Sequence, residues 1–191
     1  EIVPASYEEL KRVSSLTTPH NALAVVNMPD PPSFEANAMQ GLAIGLESVQ
    51  DPGNLGTIIR ASAWFGIRNI ICSSGSVDVY NPKVIQASMG AILNVKVMYS
   101  ELDFILGEAK KAGMPVYGTF LEGESIYKSE LDERGIILFG NESKGISGSL
   151  APFITKRLFI PGFSVSDHGV ESLNVGMAVS VVLSEFARRR K

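Results

Sequence analysis

Residues that bind metals or form disulfides are scarce in this sequence. Its 191 residues include one cysteine, Cys72, and two histidines, His20 and His168. One cysteine cannot form a disulfide within the chain, and a zinc site normally takes several His or Cys ligands. We therefore expect no metal. Cys72 ends the apolar run Ile70-Ile71-Cys72, which predicts a buried thiol in a protein of the reducing cytoplasm.

Positive charge is also in short supply. The chain has 17 Lys and Arg against 20 Asp and Glu, a formal net charge of −3. This balance argues against a protein that coats nucleic acid through many phosphate contacts, although it is compatible with a local basic patch. The one concentrated basic run, Arg188 to Lys191, has two interpretations: a solvated helix end favoured by the helix dipole, or an RNA contact.

Long hydrophobic runs are missing as well. The longest apolar stretch, near Val175 to Phe186, is interrupted by Gly176, Ser180, Ser184 and Glu185, so we expect no membrane span. No charged-then-apolar leader opens the chain. The first residue is Glu1 rather than Met, which fits a start inside a longer natural chain.

The sequence does show a regular alternation of β-rich and helical segments from Ala22 onward. Gly, Pro, Asn or Ser clusters separate them, which is typical of one α/β domain with a mostly parallel sheet flanked by helices. The predicted strands are Leu23 to Val26, Leu42 to Leu46, Asn69 to Cys72, Val95 to Tyr99, Pro115 to Phe120, Gly135 to Phe139 and Arg157 to Ile160. The predicted helices are Leu55 to Phe65, Pro82 to Met89, Leu102 to Ala112 and Leu173 to Arg190. Pro29 to Gln40 is predicted to be a loop.

The helical period assigns faces to two of these helices. On the helix at 55–65, the sheet-facing side is predicted to carry Leu55, Ile58, Ile59 and Phe65, and the opposite side Thr57, Arg60 and Trp64. The last helix has an apolar stripe of Val175, Ala178, Val179, Val182 and Phe186, with further apolar residues outside it at Leu173, Met177, Val181 and Leu183. This wide apolar surface indicates either burial in a larger core or a homodimer interface.

Three separated strings concentrate polar residues at the edges of apolar segments. They are DPGNLGTIIRASAWFG (51–66), LFGNESKG (138–145) and IPGFSVSDHGVESLNVGMA (160–178). The polar residues in question are Asn54, Arg60, Glu142, Ser172 and Asn174. The first string lacks the three-glycine dinucleotide pattern and no P-loop occurs, so a nicotinamide or ATP enzyme is disfavoured. Together the strings predict one composite site.

Each of these polar residues also has a purely structural interpretation. Asn54 and Ser172 are candidate helix N-caps, Arg60 an ordinary surface arginine, and Glu142 a solvated loop carboxylate. Asn174, predicted within an apolar helix, must find a partner if it is buried. However, Glu142 follows a predicted strand, and loops that leave the carboxyl ends of parallel strands are where open α/β folds bind ligands.

In this order and spacing, the three strings resemble the motifs of the SpoU/TrmH family of RNA ribose 2′-O-methyltransferases, in the SPOUT class. The resemblance runs from about Ala22 to Arg188. Asn54 and Arg60 match the first motif with the same six-residue separation, and the residues that match the later motifs are Gly140-Asn141-Glu142, Ile160-Pro161 and Ser172-Leu173-Asn174. Pro82-Lys83-Val84 and Ala87 to Ala91 are similar to a family stretch between the first two motifs.

The resemblance implies a parallel sheet whose C-terminal segment threads through a loop as a deep trefoil knot, a rare topology. It also implies a homodimer packed partly through the terminal helix. The methyl donor would be S-adenosylmethionine, without a metal. The residues that the family pattern places against the donor, largely through backbone groups and apolar packing around adenine, are Phe139, Gly140, Ile160 and Leu173.

The implied reaction is displacement of the sulfonium methyl group by a ribose 2′-hydroxyl. Arg60 would orient the hydroxyl and stabilise the developing alkoxide, because an arginine is almost never deprotonated and is a poor base. An RNA phosphate would receive the proton. Ser172 and Asn174 would position the hydroxyl or Arg60, while Glu142 and Asn54 would fix the arginine and the substrate.

Residues 1–20 are predicted to be a tail or linker, and 21–191 the methyltransferase domain. Thr17 to Ala22 looks like the entry to the catalytic domain in members that carry an upstream RNA-binding domain, which favours rRNA over tRNA as the substrate. The alternative function is a catalytically silent SPOUT-like RNA-binding or assembly protein. Such a module would not need Arg60, Ser172 and Asn174 together, so the enzyme is favoured.

Two departures from the family pattern stand out. The connection from Gly162 to Glu171 is longer than in many members, and Gly176 replaces the usual serine. We therefore expect the donor loop to be the part of the site that differs most from its relatives.

Overall fold

The computed structural model describes residues 1–14, 16–30, 34–36, 39–163 and 172–190. The chain divides into two compact units, Glu1–Pro31 and Pro32–Lys191. In the first unit, helix α1 (Tyr7–Val13) begins after Ser6, whose hydroxyl accepts a hydrogen bond from the backbone N–H of Glu9 while the Glu9 carboxylate accepts one from the Ser6 N–H. The Ser-x-x-Glu spacing of this capping box signals the helix in the sequence, although the helix was not predicted.

The strand predicted at Leu23 to Val26 is wrong. These residues belong to the first unit and have no strand assignment. A strand needs a neighbour for its backbone N–H and C=O groups, and no strand of the described residues pairs with this run. High β propensity alone was therefore not enough to predict a strand here.

The second unit is an α/β domain built on a six-stranded parallel sheet. Its strands are β1 (Leu42–Leu46), β2 (Asn69–Cys72), β3 (Lys96–Tyr99), β4 (Val116–Ser125), β5 (Gly135–Phe139) and β6 (Lys156–Phe159). Its helices are α2 (Pro52–Trp64), α3 (Pro82–Ser88), α4 (Leu102–Lys111) and α5 (Val175–Arg189), with 3₁₀ turns at Ala91–Asn94 and Ala151–Phe153. The other six predicted strands and all four predicted helices are thus confirmed: β1, β2 and β5 have the predicted ends, and the ends of the other elements shift by at most five residues. The loop predicted at 29–40 lies partly outside the described residues.

The strand order β3-β2-β1-β5-β4-β6 determines where ligands can bind. The chain moves outward from β1 to β2 and β3, then crosses to the other side of β1 for the remaining strands. The order therefore reverses between β1 and β5, which pair from Leu42 with Gly135 to Leu46 with Phe139. In open parallel sheets, the crevice at the carboxyl ends of the strands at such a switch point is the usual ligand site.

Alternate residues of the central strands β1 and β5 point to opposite faces of the sheet and belong to two separate hydrophobic cores. On one face, α2 and α5 cover Ile44, Ile137 and Phe139. On the other face, α4 covers Ala43 and Leu138, among others. Both central strands are buried along their whole length, as expected for a parallel sheet covered by helices on both sides.

The sequence-derived helix faces are largely confirmed. In α2, Leu55, Ile58 and Ile59 are fully buried and Trp64 is 84% exposed. In α5, Leu183 is buried with the predicted stripe, whereas Met177 is exposed. Burial of Cys72 is confirmed too, and it raises the pKa of the thiol to about 12.

A buried carboxylate helps to tie the C-terminal helix to the turn that follows β4. Glu185 is only 6% exposed and accepts hydrogen bonds from Arg188 and Arg189, which lower its pKa to about 2. Arg189 also donates to the backbone carbonyls of Ile126 and Ser129. The Glu185 carboxylate thus holds Arg189 in the position from which it joins α5 to the turn after β4.

We expect Glu185→Gln to lower the melting temperature at neutral pH. Because the folded-state pKa lies below the usual value of 4.5, the ionised carboxylate stabilises the fold above pH 4.5 and loses this effect as the pH falls toward 2. The difference in melting temperature between wild type and variant should shrink over that range, which calorimetry can follow. Glu108→Gln, which removes an exposed pair with Lys111, is the control and should change little. A pH-independent Glu185→Gln effect would contradict this assignment.

Candidate active site

Two polar segments meet at the carboxyl edge of the sheet, where the strand order reverses. The turn after β1 leads into α2, whose first helical turn carries Asn54, and the loop after β5 carries Glu142. Since β1 and β5 are paired neighbours, these segments leave the sheet side by side. The N-terminus of α5 completes the site with Asn174.

The side chain of Asn54 joins the other two segments. Its Nδ2 donates to Glu142 Oε1 at 3.1 Å, and its Oδ1 accepts from Asn174 Nδ2 at 2.8 Å. The partners lie 88 and 120 residues away in the chain. One partly buried amide therefore connects all three of the strings that the sequence singled out.

The orientation of both amides follows from the groups around them. Asn174 Oδ1 accepts from the backbone N–H groups of Gly176 and Met177, at 2.9 and 3.3 Å, so its Nδ2 must be the group that faces Asn54. Asn54 must then offer its oxygen to Asn174 and its nitrogen to Glu142. An ionised carboxylate can only accept, so every hydrogen bond in this chain has its required donor.

The structure corrects the two predicted helix caps. Asp51, not Asn54, caps α2, because Asp51 Oδ1 accepts from the Asn54 N–H at 2.7 Å. Asn174, not Ser172, caps α5, which begins at Val175 rather than Leu173. A cap oxygen must lie within reach of the free amides of the first turn, and in each case a neighbouring side chain already occupies that position. Asn54 and Ser172 are thereby left for other roles.

The loop after β5 is folded back on itself. Asn141 and Gly145 exchange two backbone hydrogen bonds, and Asn141 Oδ1 accepts from the N–H groups of Ser143 and Lys144. A Cβ atom on Gly140 would lie 2.0 Å from the carbonyl carbon of Gly145, so no other residue fits at that position. Glu142 consequently projects from a closed, well-defined loop.

The starts of two helices are linked through Asn54. Asn54 lies in the first turn of α2, and Asn174 is the N-cap of α5. The exposed carboxylate of Glu142 accepts from Asn54, which in turn accepts from Asn174. The three side chains therefore form one hydrogen-bonded row at the edge of the sheet.

Arg60 lies on the outer side of α2. It is exposed, as predicted, and within the described part of the chain it forms neither a hydrogen bond nor an ion pair. Six residues separate it from Asn54, which is about 9 Å along the helix axis. Arg60 therefore lies exposed between one and two turns of α2 beyond Asn54.

The predicted donor-binding residues lie at the ends of three different elements. Gly140 follows β5, Ile160 follows β6 and is partly buried, and Leu173 precedes α5 and is 48% exposed. Phe139, the last residue of β5, is buried in the core, and its carbonyl accepts a hydrogen bond from the Glu47 N–H. Ser172 is exposed beside Leu173.

The two departures in sequence have different outcomes. Most of the connection from Gly162 to Glu171 lies outside the described residues, so its length stays a prediction. Gly176 lies where α5 meets α2: a Cβ there would be 3.2 Å from Thr57 Cγ2 and 3.3 Å from Asn174 Oδ1. A serine at this position would require its neighbours to shift by a few tenths of an ångström.

Sequence reasoning missed Glu47 and Ser48, which support this site through the loop after β5. Asn141 Nδ2 donates to the Ser48 carbonyl at 2.8 Å, and Glu47 Oε2 accepts from the Ser147 N–H at 2.8 Å. Their only signal is position, since Glu47 and Ser48 directly follow a buried strand. In the ranges that the structure describes, no cluster of three or more His, Cys, Asp or Glu residues suits a metal. Nor does any described helix have the length and hydropathy to cross a bilayer.

A parallel α/β domain with a polar site at its switch point defines a class of ligand-binding folds, and comparison with known proteins identifies the family. The model of the SpoU rRNA methylase family matches residues 41–184. The chain therefore belongs to this family of RNA methyltransferases. All three of the segments that meet at Asn54 fall within the match.

Individual relatives agree with this assignment. The 23S rRNA (guanosine(2553)-2′-O)-methyltransferase RlmP of Bacillus subtilis is 29% identical over 93% of this chain and 69% of its own length. A putative TrmH-family RNA methyltransferase from Porphyromonas gingivalis has a solved structure with a TM-score of 0.87 and 43% identity, over 95% of this chain and 71% of its own. The SpoU methyltransferase AviRb of Streptomyces viridochromogenes, solved with AdoMet, has a TM-score of 0.72 and 25% identity, over 85% of this chain and 66% of its own.

The two functions of Asn174, capping and bridging, are separable by mutation. We expect Asn174→Ala to lower the free energy of unfolding by about 1 kcal/mol through loss of the cap, and Asn174→Asp to lose much less, because Asp caps helices equally well. Urea unfolding measures both. Ser172→Ala is the matched control and should be neutral. If Asn174→Asp were as destabilising as Asn174→Ala, the bridge rather than the cap would carry the stability.

Proposed function

We propose that this protein transfers a methyl group from S-adenosylmethionine to a ribose 2′-hydroxyl of RNA. One observation carries the proposal: the side chain of Asn54 hydrogen-bonds to both Glu142 and Asn174, in a chain of the SpoU family. These residues come from three separate motifs. Their contact supports a single site with a substrate half, formed by Asn54 and Arg60, and a donor half around Gly140, Ile160 and Leu173.

The residues proposed for the donor half suit S-adenosylmethionine. Gly140 and Ile160 follow β5 and β6, which lie two strand spacings apart, about 10 Å. They offer backbone groups and apolar surface, and Leu173 adds an exposed apolar side chain. Such groups match an uncharged adenine ring. When bound, S-adenosylmethionine supplies a methyl group activated by the positive sulfonium.

Arg60 is the proposed catalytic cation. Its guanidinium stays protonated, so it acts by orienting the 2′-hydroxyl and stabilising the oxygen as negative charge develops. A phosphate of the RNA substrate receives the hydroxyl proton. The exposure of Arg60 on the outer side of α2 supports this role, since the substrate must reach it from solvent.

The remaining polar residues are proposed to fix geometry. Asn54 and Glu142 hold the substrate side of the site, and Ser172 and Asn174 position the hydroxyl or Arg60. Holding two reacting groups in line contributes several kcal/mol to catalysis, because the entropy of alignment is lost before the reaction. The hydrogen bonds of Asn54 support this role in the described residues.

We also propose that the protein is a homodimer with a deep trefoil knot. The support for a dimer is the apolar surface at and before α5 that stays outside the core, where Met177 is 58% and Leu173 48% exposed. The support for a knot is the family pattern, together with the packing of α5 on α2 after β6 at the sheet edge.

We extend the proposal to the domain organisation and to the class of RNA that is methylated. Residues 1–20 would be a linker from an upstream RNA-binding domain, 21–191 the methyltransferase domain, and rRNA the substrate, in the cytoplasm. The Bacillus relative, named for 23S rRNA, supports the substrate, and its greater length is compatible with a further domain. The buried free thiol of Cys72 suits a reducing compartment.

Arg60→Ala should abolish most methyl transfer while leaving S-adenosylmethionine binding intact, since Arg60 is proposed to act on the hydroxyl. We expect a loss of about 100-fold or more in turnover. Methyl transfer is followed with a labelled donor, and donor binding by calorimetry. Arg68→Ala is the matched control: Arg68 is exposed and precedes β2, at the opposite edge of the sheet. Near-normal turnover in Arg60→Ala would remove this residue from the mechanism.

Mapping of 2′-O-methylation across total RNA, in cells with and without the gene, identifies the substrate. We expect loss of a methyl group from rRNA. Loss from a tRNA instead would correct the substrate class while keeping the reaction. If no methyl group were lost anywhere, the catalytically silent RNA-binding alternative would be favoured over the enzyme.

A further inference from the structure

Glu47 occupies an unusual position beside the site. It directly follows β1, and its backbone N–H donates to the Phe139 carbonyl at 2.9 Å, which extends the pairing of β1 with β5 by one residue. Its carboxylate is partly buried and accepts from the Ser147 N–H at 2.8 Å. The two residues are 100 positions apart, so this contact joins the end of β1 to the far end of the loop after β5.

The loop that Glu47 contacts behaves as a closed unit. Asn141 binds Gly145 through two backbone hydrogen bonds and binds Ser143 and Lys144 through its side chain. Gly140 packs directly on the backbone of Gly145. Internal contacts thus fix the shape of residues 140–145, and contacts to the rest of the protein must fix their orientation.

Two hydrogen bonds to the Glu47-Ser48 step supply that orientation. At one end, Asn141 Nδ2 donates to the Ser48 carbonyl at 2.8 Å; at the other, the Ser147 N–H donates to Glu47. Ser48 has a φ of 54°, the left-handed region that non-glycine residues rarely adopt. Its N–H is held by Ser73 Oγ at 2.8 Å. Strained backbone of this kind persists where the surrounding contacts determine it, often at functional sites.

We propose that Glu47 is a positioning residue for the reaction, which sets the orientation of the 140–147 loop and thereby aims Glu142 at Asn54. The inference rests on the proposed function for its consequence in catalysis. Of the two attachments, the Ser48 acceptor is a backbone carbonyl that mutation cannot remove. The other acceptor is the side chain of Glu47, which a substitution can remove or replace.

Hydrogen–deuterium exchange tests the attachment without any assay of activity. Glu47→Ala should speed exchange of the amides in the 141–147 loop, whereas Glu47→Gln, whose side-chain oxygen still accepts from the Ser147 N–H, should leave them near wild type. Unchanged protection in Glu47→Ala would overturn the proposal, as would equal acceleration in Glu47→Gln. This result stands even if the protein methylates no RNA, which separates this inference from the proposed function.

Kinetics then test the effect on the reaction. Glu47→Ala should lower kcat by about 10- to 100-fold with the KM for RNA within about twofold, because misplacement affects alignment more than binding. Glu47→Gln should restore kcat to within about threefold. In a Glu142→Ala background, Glu47→Ala should cause little further loss, since it acts through Glu142. Losses that multiply in the double variant would overturn the proposal, because Glu47 would then act by another route.

Discussion

The amide of Asn54 can be satisfied in one orientation only, and the arrangement of the site depends on it. The Asn174 oxygen is engaged by the first turn of α5, so Asn174 can only donate to Asn54. Glu142 can only accept. Asn54 is the residue between them that presents an oxygen on one side and an N–H on the other. An aspartate of the same shape would offer no donor to Glu142, and an alanine would offer neither group.

The parallel sheet makes this contact possible. Because β1 and β5 are neighbours and run in the same direction, the start of α2 and the loop after β5 leave the sheet at the same edge. The return of α5 onto α2 then brings a second helix N-terminus to that edge, with Gly176 against Thr57. The first turn of α2, the cap of α5 and the loop after β5 are thereby joined by the hydrogen bonds of Asn54.

Much of this fold was predictable from the sequence, and what was missed has physical causes. Buried parallel strands such as β1 and β5 are continuous apolar runs that pattern reveals directly. The run at Leu23 to Val26 is also apolar but pairs with no strand in the part of the chain that the structure describes, and composition does not report pairing. The true helix caps, Asp51 and Asn174, were missed because several polar residues near each helix start are suitable caps. Only the three-dimensional structure shows which side chain accepts from the backbone N–H groups of the first turn. The Glu47 contact spans 100 residues, a separation that no local pattern encodes.

A double-mutant cycle on Asn54 and Asn174 tests the central claim most directly. The variants are Asn54→Ala, Asn174→Asp, which keeps the cap of α5, and the pair together, each assayed for the rate of methyl transfer to RNA. If one hydrogen-bonded unit joins the halves of the site, the double variant should lose little more activity than the worse single variant. Losses that multiply would show that the two residues act independently, and would contradict the account.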